Sequence, residues 1–103
     1  MLTFVAITGK ELMKIVMIGA GNVATNIAKT LAKIGETPAQ IWSRTLASAE
    51  ALAETVDSCA TSDWNSVMKD ADVYIVSVKD DAMLDVIEQL CSRCKHGVFI
   101  HTA

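Results

Sequence analysis

Residues 14–24 read KIVMIGAGNVA, an apolar run that meets glycines at 19 and 21 just where a helical pattern begins. Ile15-Val16-Met17-Ile18 has no polar residue alternating along it, which marks a strand covered on both faces. From 22 to 34 the period changes: Val23, Ile27, Leu31 and Ile34 fall at helical spacing, with Ala24, Ala28 and Ala32 beside them. The turn between strand and helix has the form G-x-G-x-x-A. In that context Gly19 permits a tight turn, and Gly21, lacking a Cβ, lets a pyrophosphate approach the backbone. Small Ala24 holds helix close to strand. Amides around Asn22 and Val23, backed by the positive end of the helix dipole, would face the anion. Gly19, Ala20, Gly21, Asn22, Val23 and Ala24 are therefore the expected phosphate-turn residues.

The same alternation continues outward. Gly35 closes the first helix and Pro38 leads into a second strand, Gln40–Ser43. Thr45 is placed to cap a helix whose apolar stripe is Leu46, Ala49, Leu52, Ala53 and Val56. A brief strand at 58–61 follows, then a short helix through Met68 capped by Asp63. Asp72–Val78 reads as the fourth strand and Val98–His101 as the fifth. Between them Asp80 or Asp81 would cap a helix with face Met83, Val86, Ile87, Leu90 and Cys94. Strands alternating with helices at these lengths imply βαβ units. The expected fold is therefore α/β: a three-layer, doubly wound parallel sheet of Rossmann type, with five main strands in the order 3-2-1-4-5.

Composition agrees. The 103 residues fit one small domain, and with 51% of them apolar a packed core is expected rather than disorder. A net charge of −3 without any Lys/Arg cluster argues against nucleic acid or an anionic membrane as partner. No apolar run is long enough for a bilayer span. The first residues lack the pattern of a secretion signal, and the 3 cysteines, an odd number, suit reduced thiols and a cytoplasmic location. Met13-Lys14 stands directly before the first strand, so residues 1–12 read as an N-terminal extension and 13–103 as the dinucleotide-binding domain. No substrate-binding half is expected within these residues, because an open α/β sheet binds its ligands beyond the carboxyl ends of its strands.

The end of the second strand decides the nucleotide. An NAD site places an acidic residue there to bind the ribose hydroxyls. Here no acidic residue occurs from Thr37 to Ala49, and the strand ends in Trp42-Ser43-Arg44-Thr45. A guanidinium flanked by hydroxyls suits a 2′-phosphate, so Ser43, Arg44 and Thr45 point to NADP. The missing carboxylate also argues against a methyltransferase.

The runs KIVMIGAGNVATNIAKTL, IWSRT and ADVYIVSVKDDAM together resemble the NADP-binding domain of the pyrroline-5-carboxylate reductases. They are also similar to the deazaflavin-dependent NADP oxidoreductases and their uncharacterised relatives. The resemblance covers residues 13–103. It implies that Ser77, Val78 and Lys79 lie beside the nicotinamide ribose, and that hydride passes to a small imine or carbonyl substrate in an intact protein with a helical, dimerising second domain. The reductases commonly follow that lysine with proline, where this chain has Asp80. The alternative is a non-catalytic dinucleotide-binding or sensing domain.

Three other features have two readings each. His101 is either a proton donor at a strand end or a histidine that touches nothing, and it is the only catalytic candidate. Cys91 and Cys94 form a single CxxC, expected as core packing rather than a metal or redox site, so no metal is assigned. Trp64 either lies over the adenine pocket or anchors its short helix. As partners the sequence implies a dinucleotide, with a second copy or a helical domain completing the molecule.

Overall fold

The computed structural model describes residues 13–94 and 97–102; the expected extension, residues 1–12, lies outside them. The chain runs β1 (Ile15–Ile18), α1 (Asn22–Lys33), β2 (Gln40–Trp42), α2 (Leu46–Val56), β3 (Ala60–Thr61), a 3-10 turn (Trp64–Ser66), β4 (Val73–Val76), α3 (Asp80–Arg93) and β5 (Val98–His101). All four strand pairings are parallel and the order is β3-β2-β1-β4-β5, as expected. β1 is central, hydrogen-bonded to β2 on one edge and β4 on the other.

The pleat of β1 divides the core in two. Ile15 and Met17 join Ala24 and Ala28 of α1, Ile41 of β2 and Ala49, Leu52, Ala53 and Val56 of α2. Val16 and Ile18 face the other way, toward Trp42, Val67, Tyr74, Val76 and the α3 residues Val86, Leu90 and Cys94. The result is a sheet with α1 and α2 on one face and α3 on the other.

Several local expectations are corrected. In α1 the buried face is carried by Ala24 and Ala28, while Val23 and Ile34 are about half exposed. Periodicity gives the direction of an apolar face but not its distance from the sheet; α1 sits so close to β1 that alanine is the size that fits. Leu46 likewise stands outside the buried stripe of α2. β3 is shorter than 58–61: the Ser58 amide still closes α2, donating to the Ala53 carbonyl at 2.8 Å, and its hydroxyl donates to the Pro38 carbonyl at 2.7 Å. Neither Asp80 nor Asp81 caps α3: Lys79 holds the cap position and both carboxylates lie in the first turn, where the helix dipole favours them. Of the CxxC pair, Cys94 is buried but Cys91 is exposed.

Tyr74 anchors the α3 side. Its ring is fully buried and meets Phe99 edge-on at 5.3 Å between centroids. Its hydroxyl donates to the Met68 carbonyl and accepts from the Ala71 amide at 3.2 Å. Burial, helped by the neighbouring Cys94 thiol, pushes the phenol up from 10.0 to about 12. A raised pKa favours the neutral phenol in the folded state, so its contribution is whole below the ordinary value and is lost as pH rises through the folded one. Between pH 10.0 and about 12, urea unfolding at stepped pH should show the wild type losing roughly 2 kcal/mol more than Tyr74→Phe.

Candidate functional site

A cleft of about 980 Å³ opens over the carboxyl ends of β1, β2 and β4, at the point where the chain reverses its direction of travel across the sheet. All the residues expected at the phosphate turn line it except Ala24, which lies beneath in the core, where its small side chain lets α1 approach β1.

The two glycines serve different ends. Gly19 is buried with φ +123°, and its amide donates to the Trp42 carbonyl at 2.7 Å. A Cβ there would sit 2.1 Å from the Ser77 carbonyl oxygen. The fold itself therefore requires glycine at 19. Gly21 is in ordinary extended backbone, φ −81°, and a Cβ on it would meet nothing within 4 Å. Among the described residues no contact requires glycine at 21; what its missing Cβ leaves clear is cleft. Gly21 is also the N-cap of α1 and offers no side chain to bond the first-turn amides. The first intrahelical bond there runs from Thr25 to the Gly21 carbonyl, so the amides of Asn22, Val23 and Ala24 have no partner within the helix. No acidic residue lies in that turn.

A second helix terminus opens on the same cleft. Thr45 caps α2 in extended conformation, yet its hydroxyl makes no capping bond, and the first turn of α2 carries no carboxylate. The Ser43 hydroxyl accepts weakly from the Thr45 amide, at 3.4 Å. Exposed Arg44 and first-turn Ser48 complete this corner. Ser77, Val78 and Lys79 line the cleft beyond β4. The opposite wall is the first turns of α3, including Asp81 and Asp85. His101 is exposed and does not line the cleft, whereas its neighbour Thr102 does. The Thr102 amide donates to the Val76 carbonyl at 3.0 Å, which fixes that edge.

Two tryptophans close the β3 end. Trp42 and Trp64 stack with centroids 4.2 Å apart and planes at 25°. Trp42 is buried and, among the described residues, its Nε1 has no hydrogen-bond partner, while Trp64 is partly exposed; both line the cleft. Sequence reasoning did not reach Ser48, Ser62 or the α3 wall. Ser48 alone carried a local signal, as a hydroxyl in the first turn after the cap at Thr45. The α3 residues are brought in by tertiary packing, which leaves no local pattern.

The fold and the cleft define a Rossmann-type dinucleotide-binding domain. The chain belongs to the family described as NADP oxidoreductase, coenzyme F420-dependent, whose model matches residues 14–103. Among solved structures, it is 40% identical to a Bacteroides fragilis protein provisionally assigned as an NADP oxidoreductase, with a TM-score of 0.83 over 89% of this chain and 36% of that one. A pyrroline-5-carboxylate reductase from Coxiella burnetii is 26% identical, with a TM-score of 0.76 over 89% of this chain and 36% of that one. An imine reductase from Myxococcus stipitatus, solved with NAD+, shares the fold at 19% identity, with a TM-score of 0.74 over 90% of this chain and 32% of that one. The chain thus spans about a third of the length of these relatives. No curated protein matches it. Among the described residues, no helix is long and apolar enough to cross a membrane.

The glycines separate in a substitution test. Gly19→Ala should lower unfolding free energy by about 2–4 kcal/mol, from positive φ and the clash with Ser77. Gly21→Ala should stay within about 0.5 kcal/mol of wild type in the same urea titration.

Proposed function

We propose that this chain holds NADP in the cleft, as the cofactor domain of an oxidoreductase that moves hydride between NADP(H) and a small imine or carbonyl substrate. The observation that carries the reading is the pairing of two uncapped helix N-termini on one cleft. One is reached over a glycine that the fold does not require, the other is flanked by Arg44, and neither has a carboxylate in its first turn. Such a site is complementary to two separated anionic groups on one ligand.

In this reading the amides of Asn22 and Val23 receive the pyrophosphate, and Gly19, Ala20 and Gly21 form the floor that lets it approach. Arg44 takes the 2′-phosphate with paired charge-assisted bonds, assisted by the hydroxyls of Ser43 and Thr45. Ser77, Val78 and Lys79 flank the nicotinamide ribose. When bound, the nicotinamide supplies or accepts the hydride. The chain's own contribution is to hold the ring's ribose at the β4 end and to keep the phosphates fixed at the other.

The second reactant belongs to surfaces found in the longer relatives, so the 103 residues should show little turnover alone. A helical domain or a second copy would complete the active site, in a cytoplasmic protein. The reductases of imines and of pyrroline-5-carboxylate among the structural relatives support the imine class.

The test is calorimetric titration with NADPH and NADH. Wild type should prefer NADPH, and Arg44→Ala should weaken NADPH by about 1–3 kcal/mol while leaving NADH nearly unchanged. Equal losses for both nucleotides would remove Arg44 from the 2′-phosphate.

A further inference from the structure

Trp64 is the large aromatic at the cleft that neither the phosphate turn nor Arg44 accounts for. Packing alone explains Trp42, which is 6% exposed and belongs to the core. It does not explain why a second indole stacks on the first at 4.2 Å and remains partly open on the cleft. Trp64 packs against the same cluster and still lines the cleft, so its open part faces whatever ligand the cleft holds.

The short segment bearing Trp64 is also held more firmly than a three-residue turn needs. The Asp63 carboxylate accepts from the Asn65 amide at 2.9 Å. From β2, Gln40 clamps it twice: Nε2 donates to the Ser66 carbonyl at 2.7 Å and Oε1 accepts from the Met68 amide at 2.9 Å. From α3, Arg93 Nη1 donates to Asn65 Oδ1 at 2.8 Å, with its Nε on Gln89 at 3.1 Å. Elements on both sides of the segment therefore fix where the indole stands.

Its place in the sheet order indicates the ligand part. Trp64 follows β3, on the far side of β2 from the β1 turn. A dinucleotide with its pyrophosphate at β1 and its 2′-phosphate at Arg44 extends its nicotinamide toward β4 and its base toward β3. We propose that Trp64 is the stacking platform for the adenine base, preorganised by Gln40; this rests on the NADP reading above. The indole presents a flat apolar face to a flat heterocycle, an attraction that needs no hydrogen-bond partner and is lost when the ring is removed.

The test titrates wild type, Trp64→Leu and Trp64→Phe with adenosine 2′,5′-bisphosphate, which carries the base and 2′-phosphate but no nicotinamide, and with NADPH. Thermal melts establish that each variant is folded. Trp64→Leu should bind the bisphosphate about tenfold more weakly, and Trp64→Phe should stay within about threefold of wild type. Tryptophan fluorescence should change when the bisphosphate binds to wild type, and that change should be much smaller in Trp64→Phe, where only Trp42 remains, although binding persists, a result that a purely structural role would not give. Equal weakening by Leu and Phe, or none by Leu, overturns the platform while wild-type binding of NADPH keeps the NADP reading. If wild type binds neither nucleotide, both fall together.

Discussion

The approach of Gly19 to the Ser77 carbonyl is the constraint on which the rest depends. At the end of β1 the chain passes between the ends of β2 and β4, its Gly19 amide held by the Trp42 carbonyl at 2.7 Å. On the opposite edge the Ser77 amide donates to the Ile18 carbonyl at 2.8 Å and ties in the chain leaving β4. Three segments meet here with no room for a side chain. Only a residue without Cβ can take φ +123° there. With that geometry in place the chain turns sharply out of the sheet and starts α1 at once, with its amides aimed over the strand ends.

From that turn the cleft follows. The β1–β2 and β2–β3 crossovers place α1 and α2 on one face and the β4–β5 crossover places α3 on the other, so the connections diverge above the central strand. The alanines of α1 keep this divergence narrow. Ala24 and Ala28 are fully buried against β1, which brings the helix terminus down to the level of the strand ends. A larger residue at 24 would lift the helix and move its amides away from the cleft floor. Sequence, packing and electrostatics thus act at one place: a small residue sets a helix height, and the height sets where partial positive charge lies.

Much of this was legible in the sequence because it is local. An aliphatic run without alternation, two glycines and a helical period occupy the consecutive residues 15–34, and they define strand, turn and helix without help from elsewhere. The absence of carboxylates after β2 is equally local, and so is the Asp63 cap, which the structure shows accepting from the Asn65 amide. What was misread depends on distance or on competition. Val23 carries a core-like period but stands at the mouth of the cleft, since the pattern does not record how close the helix lies to its sheet. Asp80 and Asp81 satisfy a cap and a first-turn dipole equally well on paper, and the backbone chose the second. Trp64 had two readings because its meaning rests on Trp42 and Gln40, residues 22 and 24 positions away in the chain. Thr102 reaches the cleft only because β5 pairs with β4.

The most direct test of the account is a crystal structure of the chain grown with NADPH. The account predicts density for the pyrophosphate against the backbone amides following Gly21, with the 2′-phosphate at Arg44 and the α2 terminus. A dinucleotide found elsewhere on the surface, or bound here with its 2′-phosphate directed away from Arg44 into solvent, would contradict it.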